Sequence, residues 1–558
     1  MSALSELQGA VRAAAGAVGA GGEGKGRQAP SLQRPPKPDF GDYSSNVALL
    51  VAPTVGRSPR EVAEQVGEQL RDALGERLER VEVAGPGFLN LFLADQWFLA
   101  ALRGVLEAGD RFGAGEAAAG ERINLEFVSA NPTGPLTVAH GRHAAYGDSL
   151  ARVLEFAGHR VHREFYINDY GTQVRRLGES IRARARGEPV PQDGYQGDYV
   201  ADLVDPQLAR EADVEELARL GVAACLEEIE ATLERFGVRF DTWFFESSLH
   251  SSRPSGGSAE SEAGGGAAET LGRALADLER AGAVYRADGA LWLRTSELGD
   301  DRDRVLERTS GEHTYFASDI AYHQHKRARG FERLIDVWGA DHHGYVARMK
   351  AAWQALGGDP DALEVVIVQF VHLLERGERT SMSKRQGNIV TLDELIEEIG
   401  VDAARFFLLG RSHDTTVEVD LDLAREESAE NPVYYVQYAH ARIASVLRKA
   451  GAQRVSQALE RLGELGPPAL DPAERALIKR LVAFSEEVVE AAERRAPHRI
   501  AAYALELAQE FTAFYRDCRV VGAEPPDLEA FRLGLCLATQ RTIATALGLL
   551  GVAAPESM

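Results

Sequence analysis

RINLEFVSANPTGPLTVAHGRHAAYGDSLARVLEFAGHRVHREFYIND, from Arg122 to Asp169, changes character three times. RINLEFVS is a short apolar run with strand propensity, and NPTGP breaks it with turn residues. AAYGDSLARVLEFAG then spaces its apolar residues as a helix does, and HRVHREFYIND returns to strand. Strand, Gly/Pro-rich loop, helix, strand is the grammar of a nucleotide-binding parallel sheet. A loop leaving such a strand for a helix points backbone N–H groups into the crevice, where the helix dipole favours anions. His140 stands at that helix start, placed to donate to a phosphate oxygen. From this segment alone, His140 and His143 fit equally well as ordinary helix-start residues. They are three apart, a spacing that His159 and His162 repeat, but no further ligand completes a zinc site around either pair.

Outward from this unit, strands resume at RLIDVWGAD (333–341) and LEVVIVQFVHLL (363–374). Between the two halves lies a charged, mostly helical insertion, about 170–285, holding the flexible Gly/Ser/Ala tract SSRPSGGSAESEAGGGAAE. Residues 1–115 begin helical, pass through the loose QAPSLQRPPKPDFGDYSSN, and turn helical again at REVAEQVGEQLRDALGERL. They end with strand character around a glycine turn in VEVAGPGFLNLFLA, closed off by the linker GAGEAAAGE. From Asn431 onward apolar residues recur at three- and four-residue spacing with Pro and Gly at the joints, which predicts a bundle of four or five helices. The expected architecture is thus α/β: a small N-terminal α/β domain (1–115), a Rossmann-like nucleotide-binding domain with a helical insertion (116–425), and a C-terminal α-helical domain (426–558).

The composition restricts the class. With 45% hydrophobic and 26% charged residues, the 558-residue chain reads as an ordinary globular protein of three or four domains. No uninterrupted apolar run approaches the roughly 20 residues of a membrane span. The first helix carries Glu6 and no basic start, so it reads as a helix that stays on the protein and not as a signal peptide. Three scattered cysteines (Cys225, Cys518, Cys536) argue against a disulfide framework or a structural zinc site, and fit a reducing cytoplasm. The net charge of −23 is concentrated in the middle of the chain, so it decides nothing about a nucleic-acid partner.

Two more segments carry chemistry. RTSMSKRQGNIVTLDEL (379–395) surrounds Lys384 and Arg385 with small, hydroxylated and glycine residues. A lysine on such a loop can neutralise charge developing on a polyphosphate, although alone it is also an ordinary basic surface loop. In VWGADHHGYVARMKAAWQALG, Gly339 and Asp341 stand at a strand end, where a carboxylate can accept from ribose hydroxyls or simply cap the next helix.

Together and in this order, these segments resemble class I aminoacyl-tRNA synthetases, whose signatures are HIGH after the first strand and KMSKS after the last. Within that class the chain is similar to the arginyl-tRNA synthetases over essentially its whole length. SANPTGPL, YINDYGTQ, FDTWFFES, TYFASDIAYH, GADHHGY, MSKRQGN, NPVYYVQYAHARI, DFGDYSSNVAL and the closing LLGVAAPESM carry the resemblance. It implies an arginine–tRNA ligase that forms arginyl-adenylate from L-arginine and ATP with Mg2+, then transfers arginine to the terminal adenosine of tRNA-Arg. It implies no tightly bound cofactor and no zinc. We further expect a monomer in the cytoplasm without a membrane partner.

The resemblance also implies roles. His140 would contact the ATP phosphates, Lys384 the pyrophosphate leaving group, and Gly339 and Asp341 the adenosine, with Thr137 and Ala139 in the HIGH positions. Glu126, Ser129, Asn131, Tyr315 and Asp319 would hold arginine, with Asp319 first in line because a guanidinium's fixed fork of donors demands a well-placed carboxylate. Tyr434, Tyr435 or Tyr438 would stack on anticodon bases. His143 would be a bystander. The chain departs from the usual pattern at Thr137 and Ala139, where HIGH has histidine and glycine, and at Ser381, where KMSKS opens with lysine. Those departures leave open a catalytically weak, RNA-binding or regulatory paralogue. A cysteine-specific class I ligase would need zinc-binding cysteines near the site, and none of the three is placed for it.

Overall fold

The computed structural model describes residues 3–19, 32–115, 120–250, 267–379, 390–466 and 468–558. Five parallel strands form the central sheet: β1 (Arg122–Glu126), β2 (Arg160–Ile167), β3 (Thr242–Phe245), β4 (Arg333–Gly339) and β5 (Leu363–Val368). Their spatial order is β5-β4-β1-β2-β3. The chain therefore moves one way from β1 through β2 and β3, then returns to build β4 and β5 on the other side. A crevice opens between the C-terminal ends of β1 and β4, the place where open α/β sheets bind ligands.

Two sequence expectations change here. The stretch 170–285 is not one helical insertion, because Thr242–Phe245 rejoins the central sheet as its edge strand. Its four residues, TWFF, are too few to show a period, and helical segments flank them. LEVVIVQFVHLL is likewise two strands. β5 stops at Val368, and Val371–Glu375 pairs instead with Val417–Asp420 in a separate three-stranded sheet.

The N-terminal region packs helix Pro59–Leu74 on a four-stranded antiparallel sheet, and helix Ala3–Gly19 packs on that helix in turn. Helix Pro59–Leu74 starts on a capping box between Ser58 and Glu61, with Pro59 at its first turn. Among the described residues the C-terminal region has six helices where periodicity predicts four or five. AERALIKRLVAFSEEVVEAAERR breaks into Pro472–Val482 and Phe484–Glu493 at a joint that no Gly or Pro marks. Helix Pro526–Leu550 is long and apolar enough by composition to cross a membrane, yet 67% of its apolar window is buried inside the protein, as expected of a core helix. Ion pairs Lys479–Asp42 (2.9 Å) and Arg475–Asp95 (2.7 Å) join the bundle to the N-terminal region. Ser149, on the helix after β1, donates to the Leu549 carbonyl at 2.9 Å and joins the bundle to the central domain.

Candidate functional site

β1 leaves the sheet abruptly. Val128 (φ 66°) and Ser129 (φ 40°) both adopt left-handed backbone, which is costly for a β-branched residue and rarely persists without a tightly built surrounding. The turn aims Ser129 back at the strand end. Its hydroxyl donates to Glu126 Oε1 (2.9 Å) and accepts from the Tyr166 backbone N–H (3.1 Å).

Glu126 belongs to a row of acids. In register it lies beside Asp336 on β4 and Glu164 on β2. Three buried carboxylates on adjacent strands would repel one another strongly without cations. Helix Tyr315–Ala328 and Arg329, the residue at its C-terminal cap, supply them. Fully buried Lys326 Nζ donates to Glu126 Oε2 (2.5 Å) and Asp336 Oδ1 (2.8 Å), and Arg329 pairs with Glu164. His323 Nε2 meets Asp336 Oδ2 at 2.7 Å, and its Nδ1 meets the Asp319 carbonyl at 2.7 Å. Burial opposes charge on both Asp336 and His323. The neighbours prevail: Lys326 and His323 hold Asp336 well below the usual carboxylate range, and Asp336 raises His323.

Above this row a cavity of about 700 Å³ opens at the crevice between β1 and β4. Glu126, Ser129, Asn131, Tyr315, Asp319, Ala139, His140, Gly339 and Asp341 all line it. Asp319 accepts from the Tyr345 hydroxyl. Burial pushes the Asp319 carboxyl up to about 6, and the negative charges of Glu246 and Glu126 add to that push. Tyr315 lies on the rim, where a Cβ on Gly171 would come within 3.2 Å of its hydroxyl. Sequence reading missed Glu246, a fourth carboxylate beside Glu126, Asp319 and Asp341, buried directly after β3 and lining the same cavity. With the Asn168 amide turned so that both its groups have partners, its nitrogen donates to Glu246 Oε2 at 2.9 Å. FDTWFFES held the clue, since a residue just past the C-terminal end of a parallel strand faces the crevice.

On the opposite wall, the Thr137 backbone N–H donates to His140 Nδ1 at 3.0 Å. An accepting Nδ1 carries no proton, so the neutral ring holds its hydrogen on Nε2. Burial lowers the His140 pKa, which favours that neutral form. His143 is no bystander in position, for it lines the cavity beside Gly339. Burial, with the charge of Arg142 adding to it, pushes its pKa down to about 3. Lys384, Arg385 and Ser381 lie outside the described residues, but the backbone just after them is described. Thr391 pairs with Thr137 in an antiparallel bridge.

Two residues beyond His140, on another face of the helix, buried Arg142 donates to four carbonyls: Gln369 (2.7 Å), Phe370 (3.1 Å), Ser412 (2.9 Å) and Thr415 (2.8 Å). Gln369 and Phe370 form the break after β5 and line the cavity. This arginine thereby ties the break after β5 to the Ser412–Thr415 turn, and the Phe370 carbonyl it meets also accepts from the Val417 N–H at 3.0 Å.

The three tyrosines of the C-terminal region separate. The Tyr435 hydroxyl donates to Thr512 Oγ1 at 3.0 Å and its ring packs against the core, so it ties two helices together. Tyr434 and Tyr438 stack at 6.1 Å with ring planes 12° apart, and Tyr438 is 41% exposed. Arg442 lies 5.0 Å from the Tyr438 ring and 5.6 Å from Tyr515.

Comparison with known proteins gives this geometry its place. The family described as "tRNA synthetases class I (R), catalytic domain" matches residues 103–190 and 260–445. "Arginyl tRNA synthetase N terminal domain" matches 5–93, and "DALR anticodon binding domain" matches 436–558. The central domain is thus a class I aminoacyl-tRNA synthetase fold, with its cavity at the sheet's switch point. Similar chains include the arginine–tRNA ligases of Moorella thermoacetica (46% identity, covering 94% of this chain and 93% of the relative) and Desulfosudis oleivorans (44%, 99% of each). The solved Thermus thermophilus arginyl-tRNA synthetase superposes with a TM-score of 0.76 at 26% identity, over 99% of each chain. The chain belongs to the arginyl-tRNA synthetase family.

Proposed function

We propose that the protein is an arginine–tRNA ligase in which the α-carboxylate of L-arginine attacks the α-phosphate of MgATP. Pyrophosphate leaves, and a hydroxyl of the terminal adenosine of tRNA-Arg then takes the arginyl group and releases AMP. The observation that carries this reading is the convergence of Glu126, Asp319 and Glu246 on one cavity that His140 also lines. Three carboxylates suit a guest with two cationic ends, the α-ammonium and the guanidinium.

In this reading Asp319, with Tyr315 beside it, takes the guanidinium, whose planar donors match a carboxylate's two oxygens. Glu126, held by Ser129, serves the α-ammonium end with Asn131. The His140 Nε2–H donates to a phosphate oxygen, and Thr137 serves by setting that tautomer. Gly339 and Asp341 hold the adenosine, for which the exposed Ala139 offers a wall. A Cβ on Gly339 would sit 2.6 Å from Asp341 Oδ1, so Ala there would displace that carboxylate. Lys384 neutralises the departing pyrophosphate. The gain comes from positioning and electrostatics. On the bundle, Tyr434 and Tyr438 offer ring faces for anticodon bases. The enzyme works as a monomer in the cytoplasm, with MgATP as substrate and no zinc.

The alternative of a catalytically weak paralogue has no support among the relatives, which carry the name arginine–tRNA ligase. Purified protein should charge tRNA-Arg with arginine, and ATP–pyrophosphate exchange should depend on arginine and on cognate tRNA. Absence of charging would defeat the reading.

A further inference from the structure

The two carboxylates that read the two ends of arginine share one buried support. Glu126 is held by Lys326, and Lys326 is held by Asp336. Asp336 also takes His323 Nε2, whose other nitrogen contacts the backbone of Asp319 itself. The path Glu126–Lys326–Asp336–His323–Asp319 is thus a continuous hydrogen-bonded chain along the cavity floor, with Glu126, His323 and Asp319 lining the cavity and Lys326 and Asp336 beneath it. Its members are fixed by covalent geometry as well. Asp319, His323 and Lys326 lie on successive turns of helix Tyr315–Ala328, and Glu126 and Asp336 are in register on neighbouring strands. Lys326 and Asp336 have no exposed surface, so neither touches a guest directly.

We propose that Lys326, Asp336 and His323 are positioning residues that fix the span between Glu126 and Asp319, and so set the length of cationic amino acid the site accepts. The inference rests on the reading of Glu126 and Asp319 as the arginine contacts. A buried pair contributes little net stability compared with apolar packing, so these charges would be a poor choice if the helix only needed to adhere to the sheet. As a brace they are well suited, because a charge-assisted hydrogen bond fixes oxygen positions more tightly than packing does.

The test compares activation of L-arginine with that of L-homoarginine, one methylene longer, and L-norarginine, one shorter, in Lys326→Met and Asp336→Asn. We expect the arginine KM to rise by about tenfold or more while the KM for ATP stays within about twofold, the signature of lost substrate positioning. The preference for arginine over its two neighbours, measured in kcat/KM, should fall by about tenfold, against the ~10–200-fold that one methylene can carry. An unchanged length preference in a folded variant overturns the proposal, because a merely structural role would lower all three activities alike. Where Lys326→Met does not fold, the near-isosteric Asp336→Asn decides. Asp319→Asn separates the two levels. If it leaves the arginine KM unchanged, the arginine-contact reading fails. If it raises that KM while the length preference of the Lys326 and Asp336 variants is intact, only the brace fails.

Discussion

Thr137 and Thr391 are partners in an antiparallel bridge, flanked by hydrogen bonds from Val138 N–H to the Val390 carbonyl (3.1 Å) and from Leu392 N–H to the Leu136 carbonyl (2.8 Å). The two signature segments, far apart in sequence, are therefore fastened to each other just before Ala139 and His140, which line the cavity. Lys384 precedes this fastening in the chain. Lys384→Ala should lower the rate of arginine-dependent ATP–pyrophosphate exchange by about 10²–10³, the loss typical of one donor to developing negative charge. Thermal unfolding should not change. A rate equal to wild type would remove Lys384 from the reaction.

The Thr137–His140 hydrogen bond makes a prediction about geometry as well as charge. Glutamine can place an amide N–H near the position of Nε2, whereas alanine cannot. His140→Gln should retain about tenfold more activity than His140→Ala, since one general hydrogen-bond donor is at stake. Equal losses in both would mean that Nε2 donates nothing.

Asp319 sets a pH dependence. Its carboxyl titrates at about 6 in the free enzyme, raised by burial, so below that value it carries a proton that guanidinium binding must expel. Binding favours the ionised form, which lowers this pKa in the complex. The arginine KM should therefore be flat above pH 6 and rise as the pH falls, approaching about tenfold per unit. Measuring KM from pH 5 to 8 checks the sign. A KM independent of pH over that range would mean that Asp319 does not face the guanidinium.

Gly147 tests the packing behind the site. A Cβ there would lie 2.2 Å from the Phe127 ring, deep in the core. Gly147→Ala should cost about 1–3 kcal/mol of stability through overpacking, despite the better helix propensity of alanine. Because Phe127 adjoins the strained Val128–Ser129 turn, the arginine KM should rise as well. A more stable variant would show that the helix can move away freely.

Tyr438 tests the bundle. Loss of one base-stacking ring is worth about 1–3 kcal/mol. Tyr438→Ala should raise the KM for tRNA-Arg roughly 5- to 150-fold by that measure, with the KM for arginine untouched. Tyr435→Phe should affect folding stability only, because that hydroxyl serves Thr512.

The sequence made the nucleotide-binding unit legible because Arg122–Asp169 obeys local rules: strand period, turn residues, then helical spacing. The residues around the cavity that resemblance implies were also legible, from Glu126 to Asp341. What stayed hidden depends on contacts between distant segments. TWFF is too short to declare itself a strand, so Glu246 was buried from view in the text as in the fold. Lys326, in a run that reads as a basic helix end, is fully buried, which only the register of Glu126, Asp336 and Glu164 explains. Tyr434 and Tyr435 look equivalent side by side, yet a helix turns consecutive residues about 100° apart and only one of them meets Thr512.

The row of acids has a consequence for how the chain finds its fold. Parallel strands rich in Val, Ile and Leu can pair in several frames with similar apolar burial. Here only one frame is acceptable. Sliding β4 by one residue would set Glu126 beside Ile335 or Val337 and leave Lys326 unable to reach both of its acids. Leaving one buried charge without its partner costs about 3–5 kcal/mol, a large share of the stability of any domain. The acids that frame the substrate thus also act as an alignment key, admitting the correct strand pairing and rejecting its nearest errors.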